Sequence, residues 1–261
     1  MKNKVFGICH LCGKEAELSY EHIPPQSSFN KLKAKTYTME QMMGRDALPW
    51  DISGLRYKQN QRGAGKYSLC KKCNNDTGTW YGEEYMKFHN TLAKMVLEKN
   101  GIIPNTYATI SLKKVRPLPI IKQMLSMFCS INEPGIIDDD IKEFVLNKSA
   151  TKIETRKYKL CMYITDSTNI QYAGYTVGGN ILSGEMYCVS EITTFPIGMI
   201  LYFDPKPNMK YKGADITAFA NYQYDNYYDI DMQIPMYEKH TLFPLDYRSK
   251  KEIIECRNKT I

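Results

Sequence analysis

Two hydrophobic periods run along this chain, and the change from one to the other divides it. From Trp80 onward, Tyr81, Tyr85, Phe88, Leu92 and Met95-Val96 recur at helical spacing, and Gly101 follows as a stop. Residues 108–115 predict a strand. Pro117 and Pro119 then lead into 120–129, an apolar run that reads as a buried helix. Pro134-Gly135 breaks it, and 138–146 predicts a shorter amphipathic helix. Beyond Lys157 the runs become strand-like, at 158–164, 170–177, 185–190, 195–203 and 215–222. Ser167-Thr168, Gly178-Gly179-Asn180 and the Pro205 to Asn208 segment read as the turns between them. The pattern predicts an antiparallel or mixed sheet over 157–235, with helices over 118–147. Nearer the start, a strand-like run reaches His22 and stops at Pro24-Pro25, because neither ring nitrogen can donate to a ladder.

Composition narrows the class. The 261 residues are 43% hydrophobic and 24% charged, enough to build a core and too apolar for wholesale disorder. No stretch approaches the roughly 18 apolar residues of a membrane span. The first residues leave no room for the apolar segment of a signal peptide, so a cytoplasmic protein is expected. The charge is lopsided: thirteen bases against seven acids fall at or before Asp76, which is +6 of the net +7. Such an end suits a polyanion, although a solvated lysine-rich face has the same composition.

Eight cysteines fall into two classes. Cys129, Cys161, Cys188 and Cys256 are scattered singly and read as core packing. Cys9 with Cys12, and Cys70 with Cys73, form two C-x-x-C knuckles. Two residues between thiolates let one tight turn place both sulfurs on a tetrahedral metal, so structural zinc is expected. Thioredoxin-like redox chemistry is the other reading of C-x-x-C, but no βαβ context surrounds either pair. The gap from 13 to 69 exceeds that of a compact zinc ribbon, so something must be built between the halves.

That gap contains Ser19-Tyr20-Glu21-His22-Ile23-Pro24-Pro25, and the second knuckle runs on as Leu69-Cys70-Lys71-Lys72-Cys73-Asn74-Asn75-Asp76. A cysteine pair, Glu-His-Ile-Pro and then Leu-Cys-x-x-Cys-Asn, in that order, resembles the zinc-stabilised HNH endonucleases of the ββα-metal, or His-Me finger, group. The resemblance covers residues 5 to about 100. It implies His22 as general base, Glu21 and Asn74 as ligands of one catalytic Mg2+ or Mn2+, and Cys9, Cys12, Cys70 and Cys73 around zinc. Asp76 is the reserve metal ligand. A neutral imidazole can accept a water proton near neutral pH, and hard oxygen donors suit magnesium or manganese. His22 as a zinc ligand or structural histidine, and Asn74-Asn75 as a plain turn, are the bland alternatives. His10 reads as a solvated turn residue and His89 as a core histidine.

Two features depart from the family. Its middle asparagine, which orients the histidine loop, has no counterpart at the usual distance; Asn60 serves only if the loop is longer. An insertion over 30–62, with Met39, Met42, Met43, Trp50 and several bases, lengthens the interval. The expectation is thus an α+β protein: an HNH-like zinc module over 1–101, then a helix-plus-sheet domain over 102–261. The module is expected to hydrolyse phosphodiester bonds, in DNA first with RNA also open, as in bacterial or phage restriction or defence. Lys58, Arg62, Lys66, Lys71 and Lys72 are the expected nucleic-acid contacts. The rival is a non-catalytic zinc module that binds nucleic acid or a protein, or an effector active only in a complex. The tyrosine-rich C-terminal part reads as scaffold, or as the surface for a protein partner or second copy, more than as base-stacking.

Overall fold

Gly13, at φ +71°, turns the first hairpin, and its N–H donates to Cys9 O at 2.9 Å. On either side are β1 (Val5–Ile8) and β2 (Glu15–His22), paired antiparallel. The computed structural model describes residues 4–43, 45–180 and 185–259. Met1 to Asn3, including the lysine counted in the basic end, lie outside the described residues. After β2 the chain leaves through a short ribbon, β3 (Ala34–Thr36), the single-turn helix α1 (Met39–Met42) and β4 (Lys58–Asn60). It returns as β5 (Gly65–Cys70), which completes the sheet β1-β2-β5. Cys70 is also the N-cap of α2 (Lys71–Glu98), so strand and helix join directly at the second knuckle.

β6 (Tyr107–Val115) follows, then α3 (Pro117–Ile131), with proline in its first turn, where no N–H is needed. Every residue of α3 is buried, as a largely apolar helix requires, and Lys122, Gln123, Ser126 and Ser130 are buried with the rest. α4 (Asp139–Leu146) starts on the Asp138 side chain, which accepts from Ile141 N. Next come β7 (Tyr158–Ile164), β8 (Gln171–Asn180), β9 (Glu185–Thr193), β10 (Ile197–Phe203) and β11 (Ala214–Asp215). They make one antiparallel sheet in the order β11-β7-β10-β9-β8. β12 (Tyr228–Pro235) pairs with β6, and α5 (Lys250–Asn258) ends the chain. Alternation along β7 sends Leu160, Met162 and Ile164 into the main core, and Cys161 and Tyr163 into a second, tyrosine-rich cluster. The main core runs without a break from Leu11, Ile23 and Leu69 through α2 and α3 to the large sheet. No helix among the described residues is long and apolar enough to cross a membrane.

The architecture is mixed α and β, with the cysteines near the N-terminus. Three sequence expectations differ. The strand expected over 215–222 stops at Asp215: its Oδ1 takes the Thr217 N–H at 2.9 Å and the chain turns into a 3-10 segment over Thr217–Asn221. Gly178-Gly179-Asn180 is not a turn but the end of β8; a Cβ on Gly179 would lie 2.0 Å from Glu185 O, so glycine lets the strands close up. Cys129 and Cys161 are buried as expected, but Cys188 is half-buried and Cys256 is exposed.

Candidate metal centre and histidine loop

The two knuckles meet. The sulfurs of Cys9, Cys12, Cys70 and Cys73 all lie within 4.8 Å of one another, an arrangement that can hold a structural metal such as zinc. Cys9 and Cys73 are buried, and Cys12 and Cys70 are half-buried. The Cys73 thiol, helped by the N–H groups of Cys12, Cys70 and Leu11, outweighs burial and pulls Cys9 down to about 4. The Cys70 N–H donates to Cys9 Sγ at 3.3 Å, the kind of bond that steadies a ligating thiolate. His10 is no solvated turn residue: its Nδ1 donates to Cys129 O at 3.3 Å and fastens the first knuckle to α3.

His22 closes β2, half-buried, with Tyr20 edge-on to its ring at 5.1 Å. Its Nε2 lies 2.9 Å from Arg62 O. A carbonyl oxygen only accepts, so Nε2 carries the proton and the lone pair is on Nδ1. Burial lowers the pKa of His22 against the opposing pull of Arg62 O, which keeps the ring neutral near pH 7. Glu21 is buried, and among the described residues no hydrogen bond or ion pair reaches its carboxyl. Burial alone pushes its carboxyl up to about 8.

Asn74 lies one turn into α2, and its Nδ2 donates to Ser19 Oγ at 3.0 Å and to Tyr20 O at 3.4 Å. Ser19 spends its own proton on Leu69 O, which fixes the amide orientation and leaves Asn74 Oδ1 free to accept. The extra residue in the β2–β5 register falls beside this contact. The structure therefore ties His22 to Arg62 and Asn74 to the residue before Glu21. Among the described residues no side-chain hydrogen bond or ion pair links the Glu21 carboxyl to His22 or Asn74. Asp76, two positions beyond Asn74, points to another side of the helix and pairs with Lys72. Of the other expected nucleic-acid contacts, Lys71 pairs with Glu17 and Lys66 with Glu133, while Lys58 and Arg62 have no ion pair among the described residues.

Asn60 does not orient the histidine loop, because its Nδ2 donates to Thr36 Oγ1 inside the β3–β4 ribbon. Asn30 does that work. Its Nδ2 donates to Pro24 O and Ala64 O, and its Oδ1 accepts from Ala64 N, all at 2.7 Å. Gly63, at φ +92°, is required beside it, since a Cβ there would lie 2.3 Å from Asn30 O. The sequence signal was faint: a lone asparagine after the Pro-Pro stop and a Gly-Ala-Gly before β5. From the large sheet, Tyr172 Oη donates to Ile23 O. Phe29 packs 5.5 Å from the ring of His89, which is buried in the core as expected. No protein family, curated protein or solved structure matches this chain.

Proposed function

We propose that this chain is a metal-dependent phosphodiester hydrolase of the HNH type, with His22 as its base and DNA as its first-choice substrate. One observation carries the reading: β2 ends in a neutral imidazole with Nε2 committed and Nδ1 open, directly after a buried carboxyl that has no partner among the described residues. A buried carboxylate without a partner is costly, and its usual explanation is a cation or a catalytic role.

In this reading, His22 Nδ1 takes a proton from the attacking water, and Arg62 O steadies the imidazolium that forms. Asn30 and Tyr172 hold the loop so that the ring keeps its aim. Glu21 and the free Asn74 Oδ1 are hard oxygen donors of the kind that hold Mg2+ or Mn2+. When bound, such an ion supplies positive charge for the leaving oxygen. The thiolates prefer zinc, so the two sites sort their metals by ligand softness. The zinc cluster then has a mechanical role: it anchors β5 and α2, and with them Asn74, against β2.

The test is cleavage of supercoiled plasmid with magnesium or manganese at low salt, wild type beside His22→Ala, with zinc content measured in both. Cutting by the wild type alone, with equal zinc, is expected. Zinc-loaded wild type that leaves the plasmid intact would reject the catalytic assignment and leave a zinc-stabilised binding module.

A further inference from the structure

The insertion between the histidine loop and β5 leaves and re-enters the fold beside His22. Asn30 ties one foot to Ala64, and in the other foot the Arg62 carbonyl accepts a hydrogen bond from His22 Nε2. Its two legs, 31–36 and 56–62, contain Lys31, Lys33, Lys35, Arg56, Lys58 and Arg62, and no acid. All six are exposed, and none forms an ion pair among the described residues. By contrast, Lys66, Lys71 and Lys72 nearby are each neutralised by a carboxylate. The insertion's own acids, Glu40, Asp46 and Asp51, fall between the legs, and Asp46 is bound by Arg257.

The β3–β4 register adds direction. Lys35 lies opposite Gln59 and Thr36 opposite Lys58, so Lys35 and Lys58 project from opposite faces of the ribbon. Lys35 Nζ sits 4.5 Å over the Tyr57 ring on its own face, which is consistent with that alternation. A flat contact with one strand of phosphates needs cations on a single face. Cations on both faces of a two-stranded ribbon suit a groove with a phosphate wall on each side. The major groove of B-form DNA is wide enough for such a ribbon, whereas that of A-form RNA is too narrow and deep.

We infer that the β3–β4 ribbon is an arm that enters the major groove of a DNA duplex and holds the phosphate walls beside His22. The inference rests on the nucleic-acid part of the proposed function and not on its catalytic part. The test is fluorescence anisotropy of the full chain with a short mixed-sequence DNA duplex, without magnesium or manganese, over a range of salt. The triple variant Lys33→Gln, Lys35→Gln, Lys58→Gln alters exposed side chains only, and unchanged zinc content and melting temperature verify its fold. It should bind about tenfold or more weakly, and the slope of log affinity against log salt should shrink by about 2–3. A triple variant with wild-type affinity and slope, a wild type that does not bind the duplex, or tighter binding of an RNA duplex of the same sequence would each overturn the arm. Arm-dependent binding by a wild type that never cuts would uphold the arm and reject only the catalytic reading.

Discussion

Glu21 offers a thermodynamic test, because its carboxyl is buried with nothing among the described residues to hold its charge. Burial raises its pKa from the ordinary 4.5 to about 8. Between those values the folded protein keeps a proton that the unfolded chain has released. The stability contributed by the neutral carboxyl is whole below the lower value and is lost as pH rises through the upper one. At about 1.4 kcal/mol per pKa unit, the loss reaches about 5 kcal/mol once the group has ionised. A divalent cation at Glu21 would replace the proton and restore much of this, so its effect should grow with pH. The assay is thermal unfolding at about pH 5.5 and about pH 8.5, with and without manganese. No chelator is used, because it would also strip metal from the cysteines. Manganese should raise the melting temperature of the wild type by roughly 5–10 °C at the higher pH and by little at the lower. Glu21→Gln fixes the neutral form; it should lose both the pH dependence and the manganese response, and should outlast metal-free wild type in base. A wild type that weakens with pH but ignores manganese would remove Glu21 from the metal site. A wild type indifferent to both would show that the carboxyl is not buried as described.

Asn30→Ala removes three hydrogen bonds and strands buried backbone groups, which should cost about 3 kcal/mol and speed hydrogen exchange at Ala64 N–H; Asn60→Ala, by urea titration, should stay within about 0.5 kcal/mol. Cys73→Ser should release the metal measured by elemental analysis and melt the N-terminal sheet first, and full metal content with unchanged melting would refute the four-cysteine site. Burial lowers the pKa of His89 to about 4, so the unfolded chain binds the extra proton between about 4 and 6.5. The wild type should therefore lose about 3 kcal/mol as pH falls through that window, and His89→Gln, with urea midpoints followed against pH, should flatten the loss.

What could be read from the residues alone was whatever is decided locally. The apolar run before β7's end, the largely apolar α3 and the helical spacing along α2 are short-range patterns, and the structure places elements there. The knuckles were legible for the same reason, since two intervening residues set the distance between each pair of sulfurs. Local chemistry also explains the errors. A side-chain cap at Asp215 diverted a strand, and close approach rather than turning accounts for the glycines at the end of β8. The α5 helix was overlooked although Ser249 and Glu252 form a capping box at its start.

The histidine loop was legible only in part, because the contacts that shape it span the fold. Asn30 closes on Ala64 across the whole insertion, and Tyr172 reaches Ile23 from the large sheet. Charge shows the same limit. Lys66, Lys71 and Lys72 read as phosphate contacts because they flank the second knuckle, yet each is met by a carboxylate, two of them from distant parts of the chain. Lys58 and Arg62, on the returning leg of the insertion, are not so met among the described residues. The outer part of the insertion is itself packed, with Trp50 against His240 and Asp46 held by Arg257, so the unpaired cations fall on its two legs. Unpaired positive charge and the open face of His22 thus arise at the same two feet, residues 30 and 62–64. If nucleic acid is the ligand, cutting should be lost with the imidazole and binding with the arm's lysines, since the bond that joins them runs from His22 Nε2 to the Arg62 backbone carbonyl and involves no cationic side chain of the arm.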